Sequence, residues 1–194
     1  MRSLAVWIFA GLAALAAWPQ DKPEQWQPSP MEAFAQQPDT HITWSSDIGR
    51  LEAGGVRASL TALILEDKAQ PPKQIRGVRV DLSRLDVADR IYLDETAVTR
   101  TIKALGESVA GMARARDQGR VGGNSCFGAA EFWQGYNWPW NKYHELNADY
   151  CLRSGEAYLS LSGRHKPGTF QFADERPERL AELLETALDQ LKTH

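Results

Sequence analysis

The sequence predicts an α+β fold: an antiparallel sheet built from two similar strand-strand-helix halves, with both helices packed on one face. Three observations carry this expectation. Between residues 42 and 94 the apolar residues fall in short runs bounded by turn residues, as strands do. From Glu95 the period lengthens, and Val98, Ile102, Leu105, Val109 and Met112 recur at helical spacing. The whole pattern then returns. A shift of 79 positions places Val80 on Leu159, Leu82 on Leu161, Ile91 on Phe170, Leu93 on Phe172, Leu105 on Leu184, Val109 on Leu188 and Met112 on Leu191. Two helices with one apolar stripe each need a sheet face to cover, and an antiparallel sheet with both helices on one side is the economical solution.

The chain opens with Arg2 and then an uncharged run, Leu4 to Ala17, of small and apolar side chains. That is the layout of a secretory signal peptide, and it is shorter than the roughly 20 residues of a membrane helix. Ala14 and Ala16 hold the small-residue positions of a cleavage site, so residues 1–16 are expected to be removed after Ala16. The rest is then periplasmic or secreted, with no stable membrane span; an uncleaved anchor, the alternative, also leaves it outside the cytoplasm. Residues 17–40, with Pro19, Pro23, Pro28, Pro30, Gln36 and Gln37, read as an N-terminal arm or linker with little regular structure. Residues 41–194 follow as a single domain of ordinary size, with halves at about 41–117 and 124–194.

In the first half, strands are expected at Ile42 to Ser46, Val56 to Leu65, Ile75 to Leu82 and Arg90 to Asp94, with turns at Gly54-Gly55 and Pro71-Pro72. A helix follows from Glu95 to about Ala115, its acidic start favoured by the helix dipole. Gln118 to Asn124, holding Gly119, Gly122 and Gly123, is a link into the second half. There, strands are expected through Leu159 and Leu161 and over Gly168 to Phe172. Pro177 then opens a helix whose stripe is Leu180, Leu184, Leu188 and Leu191.

The net charge is −3 and the basic residues are scattered, which points away from nucleic acid and anionic lipid as partners. The two cysteines, Cys126 and Cys151, are expected to form a disulfide in an oxidising compartment. They lack the C-x-x-C spacing of a redox pair. Between them lies the densest unusual chemistry in the chain: Phe127, Phe132, Trp133, Tyr136, Trp138, Trp140 and Tyr143, interleaved with Asn137, Asn141, His144 and Glu145. Rings with polar edges beside amides suit the face of a sugar or a peptide segment, and Pro139 would hold the stretch as a loop. Trp133, Tyr136, Trp138, Trp140 and Tyr143 are therefore the candidate binding residues. The competing role for the same rings is to cover the open side of the sheet beside the disulfide.

Catalytic and cofactor motifs fail on their own mechanics. His144 and Glu145, with Asp149 and Tyr150 nearby, could serve as metal ligands or as an acid and base, but no second histidine follows at helical distance, so no metal site is expected, and no cofactor is indicated. Gly123-Asn124-Ser125-Cys126-Phe127 carries Phe127 where a nucleophile elbow needs its second glycine. Asp81, Asp86, Asp89, Asp94 and Glu95 surround a strand turn and a helix start, where carboxylates cap or stay solvated; a glycosidase would need two of them across a cleft. The expected function is that of an exported, small, non-catalytic protein binding an envelope protein or polysaccharide through the aromatic loop. The alternative is a cell-envelope hydrolase using carboxylates or His144 brought together by the fold. A homodimer formed through the sheet face is a third arrangement, so the chain is expected as monomer or homodimer.

Overall fold

Paired residues with positive φ close the tightest hairpins. Gly54 and Gly55 (φ 56° and 78°) join β1 (His41–Ala53) to β2 (Val56–Glu66), and Ser154 and Gly155 (φ 51° and 89°) join β7 (Leu146–Arg153) to β8 (Glu156–Gly163). Left-handed backbone at both central positions matches the twist of two-residue hairpins. The computed structural model describes residues 28–85, 87–128, 131–134, 146–163 and 169–194, with 131–134 described as backbone. Residues 1–16, expected as a signal peptide, and residues 17–27 of the expected arm lie outside these.

The first half is the expected meander, β1-β2-β3-β4, with β3 at Gln74–Arg84 and β4 at Val87–Asp94. The second half forms a sheet of its own in the order β6-β5-β7-β8-β9, with β5 at Asn124–Gly128, β6 at Glu131–Gln134 and β9 at Phe170–Ala173. The α+β class and the repeated architecture thus stand, with the antiparallel strands divided between two sheets. Each sheet is followed by a helix, α2 (Glu95–Asp117) and α3 (Pro177–Lys192). The 79-residue likeness maps β3 on β8, β4 on β9 and α2 on α3, but not the pairing: Val80 pairs with Ile91, whereas Leu159 pairs with Phe172 rather than Phe170. An even slip keeps every side chain on its own face, so the buried pattern survives it.

The helices are exchanged between the halves. α2 is capped by the Asp94 carboxylate, which accepts from Ala97 N–H at 2.8 Å. It touches β3 and β4 but packs chiefly on β5 and β7 of the second sheet. There Met112 meets Phe127 and Leu152, and Gly111 lies so close to the Phe127 ring that a Cβ would overlap it. α3, in turn, packs on β1, β2 and β3 of the first sheet. Leu183 reaches 3.0 Å from the Cβ position of Gly49, Arg76 Nη1 donates to the Leu191 carbonyl at 3.2 Å, and Trp44 stacks on His194. One core, running from Leu60 and Val80 to Phe172 and Leu184, therefore belongs to neither half alone. Among the described residues no helix is long and apolar enough to cross a membrane.

Within the arm, where little regular structure is expected, the structure has a short helix, α1 (Pro30–Ala35). Six residues are too few for a helical period to show in sequence. Local chemistry holds it: Ser29 Oγ accepts from Glu32 N–H at 3.1 Å and donates to the Tyr92 carbonyl at 2.8 Å. Met31 is fully buried with Leu63 and Leu65 on the outer face of the first sheet, and Gly77 leaves the room its sulfur occupies. Met31→Ala is expected to lower stability by about 3 kcal/mol, the usual cost of emptying such a site. A fall in the urea midpoint at unchanged slope is the reading that checks it.

Candidate functional site: the root of the aromatic segment

Strand alternation sorts β7 into two faces. Leu146, Ala148, Tyr150 and Leu152 belong to the core clusters beneath the helices, which leaves Asn147, Asp149, Cys151 and Arg153 on the opposite face. Cys126 of β5 stands directly opposite Cys151, with Cα atoms 4.0 Å apart, and the two are joined as a disulfide. Sequence composition predicts this bond, and the ladder explains it: side chains of directly opposed residues on adjacent strands share one face.

The rungs beside the bond place few polar groups next to one another. Gly128, Asp149 and Ser160 form one row across β5, β7 and β8; Cys126, Cys151 and Tyr158 form the next. The Arg153 guanidinium lies 5.3 Å from the centre of the Tyr158 ring. Asp149 is only 6% exposed, and its Oδ2 finds no hydrogen-bond partner among the described residues. Burial pushes its carboxyl up to about 7. Gly128 is glycine because the carboxyl occupies its side-chain space: a Cβ there would overlap Asp149 Oδ1.

Of the aromatic candidates, Trp133 falls on β6, in register with Cys126, so the stretch expected to be wholly loop contains an edge strand. Pairing of Glu131–Gln134 with β5 overrides the loop character of its neighbours. Tyr136, Trp138, Trp140 and Tyr143, and with them His144, lie outside the described residues. Among the described residues the acidic candidates are not gathered. Asp81 holds Arg79 at 2.8 Å and Arg90 at 2.6 Å, Asp94 caps α2, and Glu95 sits in its first turn. Asp89 is buried against Gly163, and Asp86 lies outside the described residues. Ser125 turns inward, its hydroxyl donating to the Gly122 carbonyl at 2.8 Å and accepting from Gly122 N–H, a turn-closing role. Among the described residues no group of three His, Cys, Asp or Glu could hold a metal ion.

Asp149 enters the sequence reading only as a neighbour of His144 and Glu145, and its place beside the disulfide is not drawn there. Its signal was present: it stands two residues from Cys151 in a run whose alternate residues are Leu146, Ala148, Tyr150 and Leu152, so it had to share the face of the disulfide. The chain matches no family model, no curated protein and no solved structure.

Serine replacement of both cysteines is expected to cost about 3 kcal/mol, the chain-entropy value for a loop closed over a separation of 25 residues. Denaturation of the double variant, compared with the oxidised chain, measures it.

Proposed function

We propose that the chain is exported and acts as a small non-catalytic protein that presents the segment between its cysteines to an envelope protein or polysaccharide. One observation carries the reading. The bond between Cys126 and Cys151 joins, at directly opposed positions, β5 and β7, the strands that precede and follow this segment in the chain. A covalent clamp at the base lowers the entropy that a partner must remove on binding. A disulfide also forms and persists in oxidising compartments, in keeping with the signal-like run at the N-terminus. The side chains suit the task, since Trp133, Tyr136, Trp138, Trp140 and Tyr143 join large apolar faces to hydrogen-bonding edges.

Titration of the purified chain with peptidoglycan fragments and envelope polysaccharides, followed by tryptophan fluorescence, tests this. A saturable change in emission is expected, and Trp138→Ala is expected to weaken it at least about tenfold, the scale of losing a stacked ring at an interface hot spot. No change with any glycan, and no envelope protein retained by the chain but released by the same substitution, would overturn the reading.

The hydrolase reading draws on Asp149, because a carboxyl held near neutrality can serve as a general acid. Turnover of a peptidoglycan fragment by the wild type, abolished in Asp149→Asn, would put hydrolysis in place of binding.

A further inference from the structure

Asp149 closes the last rung of the β5–β7 ladder. Gly128, its partner, ends β5, and from there the chain passes to β6; on β7, Leu146, Asn147 and Ala148 have partners on β8 and none on β5. The rung is tightly filled, with the carboxyl occupying the space a Gly128 side chain would need and Oδ2 sealed from water without a bond among the described residues. On β5 it faces Gly128 and on β8 Ser160, neither of which titrates. Among the described residues, the titratable positions of the same face are Arg153 and Tyr158, engaged with each other, Glu156 opposite Arg153 at the turn, and Glu131 opposite Gly128 on β6. Among the described residues no cation bonds the Asp149 carboxyl.

We propose that Asp149 is a pH-sensitive latch at the root of the 129–145 segment, closing the last β5–β7 rung when uncharged and opening it when ionised. The physical cause is desolvation. A carboxylate deprived of water and of partners costs several kcal/mol, whereas the neutral acid fits the space as it stands. Opening the rung lets water in without breaking the disulfide, since Cys126 and Cys151 hold the next rung on that face. Burial places the transition at about 7, so modest changes in the pH outside the cytoplasm would change its population. As a device for presenting the segment, the latch rests on the binding reading above; its mechanics do not.

Hydrogen exchange on the full chain with its disulfide intact is the test, with intrinsic rates divided out. Between about pH 5.5 and about pH 8.5, protection over residues 124–134 is expected to fall at least about tenfold, while β2 and β3 keep theirs. Asp149→Asn is expected to show equal protection at both values. No fall in the wild type, a fall shared equally by β2 and β3, or the same fall in Asp149→Asn would overturn the latch. Should that variant not fold, the carboxyl carbon resonance of Asp149 in the wild type decides: a titration midpoint near 7 supports the latch, and one near the usual carboxyl value of 3.8 sinks it. Neither readout uses a glycan or partner, so failure of the binding titration and failure of the latch are told apart.

Discussion

Produced alone, residues 28–120 are expected not to fold, and neither are residues 121–194, although each holds a sheet and the helix that follows it. The reason is the exchange of helices. In the first piece, the face of the sheet lined by Leu60, Ala62, Ile64, Val78 and Val80 loses α3, which packs on β1, β2 and β3 in the whole chain. Buried leucines 180, 183, 184 and 191 supply that contact; at roughly 2 kcal/mol each, about 8 kcal/mol of apolar burial disappears. A domain of this size has a total stability of about 5–15 kcal/mol, so the loss is of the same order as everything that holds it folded. The second piece loses α2 and leaves Phe127 and Leu152 without Met112. Mixed in equal amounts, the two pieces are expected to regain a cooperative transition together, because the break falls in the link after α2. Circular dichroism and dispersion of the amide proton spectrum would show this; a cooperative unfolding transition in either piece by itself would mean that the exchanged helices are dispensable.

That intertwining explains which parts of the fold were legible in the sequence. Strand alternation and the helical stripes are local, and they located β2, β3, β4, α2, β9 and α3 within a few residues. The stripe Leu180, Leu184 and Leu191 says that α3 has a buried face, but not whose sheet buries it, because one apolar stripe fits either half. The division into two sheets is hidden for the same reason: ladder partners are long-range facts. β5, β6 and β7 were missed because their residues, such as Asn124, Gly128, Asn147 and Asp149, have low strand propensity, and only pairing among the three makes strands of them. At the candidate site the cysteine pair was readable from composition. The packing of Asp149 against Gly128 was not, since it depends on the register that the cysteine bond shares.

The second large effect expected is that changing Asp149 to Asn reverses, between low and high pH, which of the two proteins is the more stable. Burial raises the folded carboxyl from 3.8 to about 7, so between these values the folded chain keeps a proton that the unfolded chain has already released. The contribution of this group is therefore fully present below about pH 4, lost progressively up to about pH 7 and constant above that. Each tenfold difference in proton affinity between the folded and unfolded chain is worth about 1.4 kcal/mol, which makes the loss across the window about 4 kcal/mol. Asparagine keeps the shape and cannot ionise, so this slope vanishes in the variant. Its amide, however, meets the same dry surroundings that leave Oδ2 without a partner among the described residues, and a buried unsatisfied amide costs about 1–3 kcal/mol. Below about pH 4.5 the wild type is then the more stable of the two, the curves cross between about pH 4.5 and about pH 6, and near pH 8 the variant is ahead by about 1–3 kcal/mol. Urea denaturation at a series of pH values would locate the crossing. Parallel curves for the two proteins would mean that Asp149 titrates as an ordinary carboxyl, and the dry rung against Gly128 would then not be a feature of the protein in solution.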